Sequence, residues 1–156
     1  MISKNRYNYS LSVGNKAESK FKDLMVSRGN TCIESTKDQN IYNHIDFFVN
    51  DIPVDVKGAR HLETIWLEKK NVNGDKGWLE GDSEYIVFDI EELNSFCVYK
   101  TKDLLRFISN VKDVAISKKD YLKLYTRQGR KDVLVKVRYK DIKHLEIQKL
   151  NYNYGN

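Results

Sequence analysis

Asp55 and Lys57 stand two residues apart in the run "VDVKG", among apolar side chains. In an extended strand, residues two apart share a face, so Asp55 and Lys57 point one way and Val54 and Val56 the other. Asp46 interrupts a second apolar run, "HIDFFV", a short distance upstream. Unpaired ions are costly in such surroundings, and packing does not ask for them. The chain holds four acid-x-Lys triplets, beginning at Glu18, Asp55, Glu68 and Asp141, yet only the one at Asp55 lies in an apolar strand and ends on glycine. The Asn50-Asp51 turn would fold the two runs into a hairpin, bringing Asp46 and Asp55 together on one face. Adjacent carboxylates repel, so one keeps its proton unless a cation neutralises them. Mg²⁺ (or Mn²⁺) takes such ligands, often one or two carboxylates with water and substrate phosphate. The ion would activate a water and polarise a phosphate oxygen, while Lys57 stabilised the developing charge. With Asp46 and Asp55 as metal ligands and Lys57 as catalyst, the chemistry this suits is phosphodiester hydrolysis.

The elements that must position these residues are legible from periodicity. Val13, Ala17, Phe21, Leu24 and Met25 recur at helical spacing from Val13 to Arg28, and Gly29-Asn30 stops that helix. Glu18 borders its apolar face, and two readings stand side by side. It reaches over the sheet as a third acid and metal ligand, or it pairs at the helix margin with Arg28 or a sheet lysine. "TCIES" reads as a strand, "TKDQN" as a polar loop, and "ETIWLEKKN" as a fourth strand with Trp66 and Glu68 on one face. A glycine-bearing loop, "VNGDKGWLEGDS", leads to strands "EYIVFDI" and "SFCVYK", then to a helix capped by Thr101. "YLKLYTRQGRKDVLVKVRY" reads as a hairpin turning at Gln128-Gly129, followed by a helical "KDIKHL" and a last strand, "EIQKL". Residues 1–12 read as a loosely held arm, 13–150 as one α/β domain with a mixed sheet, and 151–156 as a disordered tail.

Composition narrows the partners. A chain of 156 residues, 40% hydrophobic and with a net charge of +5, has enough apolar material for one core and suits an anionic partner. No apolar run is long enough to span a membrane, and the start lacks the apolar stretch of a secretory signal, so a cytoplasmic location is expected. Cys32 and Cys97 lie in apolar runs and read as reduced core residues. Arg127, Arg130 and Lys131 flank a hairpin tip, with Lys136 and Arg138 on one strand face beyond it. Together with Arg60 and Lys76 the tip residues form a basic set suited to a phosphate backbone; the plainer reading is a solvated strand edge. Trp78 reads either as a base-stacking residue or as a buried loop anchor. His44 would share the face of Asp46 in a regular strand. No base-reading motif is present, and zinc-ligand spacing is absent around His61 and His144.

A helix acid at Glu18, "IDFFV" with Asp46, and "VDVKG" with Asp55 and Lys57 together resemble the PD-(D/E)xK nuclease superfamily. The residue before Asp46 is Ile45 instead of proline. Trp66, Glu68 and Asn71, then "GDKGWLEGDSEYIVF" and "RQGRKD", are similar to small phage-encoded members, including Holliday-junction-resolvase-like nucleases. The likeness spans about Gly14 to Leu150, and departs from the pattern at Glu80 and "SEY". It implies an α-β-β-β-α-β restriction-endonuclease-like core carrying an extra C-terminal β hairpin. It further implies a Mg²⁺-dependent DNA endonuclease acting on duplex or branched DNA, in the host cytoplasm if phage-encoded, and leaves a homodimer open. The rival from another class is a catalytically silent protein of that fold, serving as a DNA-binding or virion-associated structural component.

Overall fold

The computed structural model describes residues 4–152, with side chains from Lys16 onward. Helix α1 (Lys4–Ser27) buries Ala17, Phe21, Leu24 and Met25 on one stripe, as an amphipathic helix must. It begins ahead of Val13, so the backbone read as an arm is helical from Lys4, while residues 1–3 lie outside the described residues. Gly29 ends it with φ 84°, and the Asn30 N–H donates back to the Met25 carbonyl at 3.0 Å.

Strands β1 (Cys32–Glu34), β2 (Phe47–Val49) and β3 (Ile52–Arg60) form an antiparallel meander. Asn50 and Asp51 make the β2–β3 turn, both at positive φ (49° and 69°). Two-residue hairpin turns of this kind match the strand twist and favour Asn and Asp. Between β1 and β2 lies helix α2 (Lys37–Asn43), where the sequence reads only a loop. It buries no residue, and a capping box starts it. Thr36 Oγ1 accepts from the Gln39 N–H at 3.2 Å, and Gln39 Oε1 accepts from the Thr36 N–H at 2.8 Å.

After β3 the chain leaves the sheet as β4 (Ile65–Lys70), passes a 3-10 turn at Trp78–Glu80, and returns as β5 (Tyr85–Ile90), parallel to β3. The expected core order places a helix in this crossover. Here a strand pairing elsewhere spans the distance, and helix α3 (Thr101–Ser109) comes only after β6 (Ser95–Lys100), with Lys100 and not Thr101 at its cap. The C-terminal hairpin forms as β7 (Leu124–Tyr125) and β8 (Val133–Val137). Helix α4 (Tyr139–Ile142) then leads to β9 (Glu146–Asn151).

The outcome is an α/β fold with a six-stranded mixed sheet, ordered β1-β2-β3-β5-β6-β9, and a three-stranded sheet, β4-β8-β7. On one face of the main sheet, Val54, Val87, Phe96 and Val98 pack under α1. On the other, Phe88 and Tyr99 meet Ile65, Leu67, Val135 and Val137 of the second sheet and Leu104 of α3. Asn151 belongs to β9 and Tyr152 is buried, so the region read as tail begins in the fold; residues 153–156 lie outside the described residues. Both cysteines are free and buried. Among the described residues no helix is long and apolar enough to cross a membrane.

Candidate active site

On β3, Val54 and Val56 enter the α1-side core, which turns Asp55 and Lys57 toward the opposite face. Asp55 lies beside Ile86 and Lys57 beside Phe88 of the parallel strand β5. Asp46 precedes β2, yet its N–H donates to the Val54 carbonyl at 2.9 Å and prolongs the ladder. Because Val54 is also the partner of Phe47, the chain bulges here, and the Asp46 carboxylate comes within hydrogen-bonding reach of Asp55. Its carboxylate is held from two sides, Oδ1 accepting from Asn40 Nδ2 at 2.6 Å and Oδ2 from the Val56 N–H at 2.8 Å. The polar helix α2 is thus a positioning device, and Asn40 is a site residue that sequence reading missed. The signal was available: "TKDQ" is a Thr-x-x-Gln capping box, which starts a helix and places Asn40 on its second turn.

Glu18 arrives from α1 within hydrogen-bonding reach of Asp46, and Asp46 is within the same reach of Asp55. Arg28, one alternative partner for Glu18, instead donates to the Asn151 carbonyl. Burial raises the pKa of all three acids. Asp55 is pushed up to about 7, chiefly by burial, with Lys57 opposing the rise and the Asp46 charge adding to it. Asp55 Oδ2 lies 3.1 Å from Lys57 Nζ, an ion pair without the alignment of a full hydrogen bond. Lys57 Nζ also sits 4.8 Å over the Trp78 ring, a cation–π contact that fixes it.

Glu68 joins from β4: burial raises its pKa, the Lys57 and His44 charges oppose that, and the Trp78 N–H donates to it. Two glycines let the Trp78 turn lie this close. A Cβ at Gly77 would stand 2.8 Å from the Lys69 carbonyl carbon, and one at Gly81 would stand 2.7 Å from His44 Cβ.

Several sequence-assigned contacts lie elsewhere. Trp78 is a buried anchor, 7% exposed and edge-on to Phe88, so it offers no face to a base. His44 is not in a strand; it caps α2 in the left-handed region, and its Nε2 lies 3.2 Å from the Lys76 carbonyl oxygen. Arg127 is the countercharge of the fully buried Asp132, its Nε donating to Oδ2 at 2.5 Å. Arg60 folds onto its own strand, donating to the Gly58 and Ala59 carbonyls. Lys76, Arg130 and Lys131 are exposed.

Among the described residues, no group of three or more His, Cys, Asp or Glu side chains is arranged to hold a metal ion. Mg²⁺ does not need three protein ligands, since it keeps several waters and binds through one or two carboxylates. Asp46 and Asp55 fit that role: two acids within hydrogen-bonding reach of each other share one ammonium, a surplus of negative charge that a cation would neutralise. No family model, curated protein or solved structure matches the chain.

Proposed function

We propose that this chain is a metal-dependent endonuclease that hydrolyses phosphodiester bonds in duplex or branched DNA, as the PD-(D/E)xK nucleases do. One observation carries the reading. Two carboxylates lie side by side, one of them buried, and a single ammonium stands 3.1 Å from the buried one. When bound, Mg²⁺ or Mn²⁺ supplies Lewis-acid polarisation of the phosphate and an acidified water. Asp46 and Asp55 would hold it, Asp55 giving up its proton to do so. Glu18, at the solvent side of the cluster, accepts a proton from the attacking water. Lys57 stabilises negative charge on the phosphoryl oxygens while the bond to the leaving oxygen breaks. Gathering three acids, one of them buried, serves no purpose in a protein that only binds DNA, which weighs against the silent, virion-associated rival.

The test is a nicking assay on branched, duplex and single-stranded DNA with Mg²⁺, Mn²⁺ or EDTA. Metal-dependent strand cleavage that disappears in Asp55→Asn is the expected result. No cleavage of any DNA form, with DNA binding intact, would select the silent rival.

A further inference from the structure

The outer face of the β4-β8-β7 sheet remains unexplained by the catalytic reading. Ile65 and Leu67 of β4 and Val135 and Val137 of β8 point into the core, so alternation turns Trp66 and Glu68, and Leu134 and Lys136, outward. Trp66 pairs across the ladder with Lys136, and its ring lies 5.5 Å from that of Tyr125 on β7. Lys136 Nζ stands 5.9 Å over Trp66 and 4.5 Å over Tyr121, and the Arg138 guanidinium stacks 3.6 Å over Tyr121. Three half-buried aromatic rings therefore gather about Lys136 on this side of the sheet, and Arg138, whose Nε donates to Glu63 at 3.1 Å, closes one end. A strand edge protected from aggregation needs charges there but not aromatic rings. At the end of this row Glu68, two residues from Trp66 on the same face, meets the field of Lys57 and the N–H of Trp78. Glu68 also lies against Gly77, whose neighbour Trp78 carries Lys57 over its ring, so the row ends beside the turn that holds Lys57.

From this arrangement we infer that the outer face of the second sheet is a stacking platform for unpaired DNA bases next to the cleavage site. Rings on a positively charged track suit single-stranded nucleic acid, because every base has a face to stack and every linkage carries a charge. In a paired duplex the base faces are already occupied. Trp66 and Tyr125 would take successive bases and Lys136 the phosphate between them. The inference deepens the endonuclease reading by naming its substrate class, DNA with a single-stranded stretch beside the cut, such as a flap or an opened branch.

The experiment uses the full chain in EDTA, where cleavage cannot interfere. A twelve-nucleotide single strand and a duplex of equal length are titrated while tryptophan emission is followed. Trp66 and Trp78 are the two tryptophans, and Trp78 is buried, so quenching reports on Trp66. The single strand is expected to quench emission and bind about tenfold tighter than duplex, with Trp66→Ala losing about tenfold of that affinity. Trp66→Phe, which keeps a ring, should retain most of it. Lys136→Gln should lower the salt dependence by about one released counterion. Binding without quenching, equal single-strand affinity in Trp66→Ala with an unchanged thermal melt, or no binding of either DNA would overturn the platform. Quenching without metal-dependent cleavage would instead leave the platform standing and defeat the endonuclease reading.

Discussion

Two aspartates on neighbouring strands of one sheet are equally buried, Asp55 at 3% exposure and Asp89 at 2%, and their surroundings differ in kind. Asp89, on the α1 face of β5, has both oxygens engaged. Lys20 Nζ lies 2.8 Å from Oδ2, and the Tyr152 hydroxyl donates to Oδ1 at 2.7 Å. Lys20 is itself held 4.0 Å over the Tyr152 ring. Asp132 is treated likewise by Arg127. Asp55 has an ion pair too, Lys57 Nζ 3.1 Å from its Oδ2, but it shares that single ammonium with two other acids. A buried charge whose partners are complete is architecture, because removing one partner strands the other. A buried charge left incomplete stores the capacity to take a proton, a cation or a substrate.

The largest effect expected from this contrast is on folding. Asp89→Ala strands the Lys20 ammonium and should cost about 3–5 kcal/mol of stability, while the remaining folded molecules cleave at the wild-type rate. Denaturant melts beside a cleavage assay normalised to folded protein check both halves. Lys57→Ala should do the reverse, lowering cleavage on the order of a hundredfold or more with DNA affinity nearly unchanged. A single-turnover assay beside a gel-shift titration reads this, and unchanged cleavage would remove Lys57 from the mechanism.

The pH dependence of stability sharpens the contrast next. Folded Asp55 holds its proton up to about pH 7, whereas an unfolded aspartate releases it near pH 4. Between those values the folded state binds more protons, so metal-free stability falls as pH rises, by at most about 1.4 kcal/mol per pH unit for each proton. Melts at pH 5 and 8 should show the loss, and Asp55→Asn should recover part of it, on the order of 1–3 kcal/mol at pH 8. The same substitution should remove most of the Mg²⁺-induced rise in melting temperature seen in the wild type. An equal rise in both proteins would place the ion elsewhere. Smallest is Asn40→Ala: global stability should shift by about 1 kcal/mol, with a several-fold loss of cleavage as Asp46 loosens.

The hairpin bearing Asp46, Asp55 and Lys57 was legible because strand alternation and an Asn-Asp turn are local signals, and both persist in the fold. The strands of the main sheet were legible for the same reason. Helix α2 was not, since it has no apolar stripe and is held by its cap alone. Trp78 stayed open between a base-stacking residue and a buried anchor, and Arg127 was assigned outward, because flanking glycines and charges resemble a surface loop. Their real partners, Phe88 and Lys57 for one and Asp132 for the other, are tertiary or set by a hairpin tip. The strand, loop and return strand of the β3–β5 crossover were legible as elements, but the pairing of β4 with β8, whose sequence lies more than sixty residues further on, was not.

Tyr152 gives the Asp89 contact a consequence in time. The β2–β3 hairpin closes through a two-residue turn, and hairpins form within about 1–10 μs. Asp89, by contrast, takes its lysine from α1 and its hydroxyl from residue 152. Arg28 reaches further still, to the Asn151 carbonyl 123 residues away in sequence. Contacts this distant are slow to find, because the loop they close must be ordered before they reward it. A growing chain short of Tyr152 can therefore already pair the strands that bear the acids while the α1 side of the sheet is still open. The hairpin that carries the acids thus closes on local contacts alone, whereas the α1 side of the sheet waits for β9.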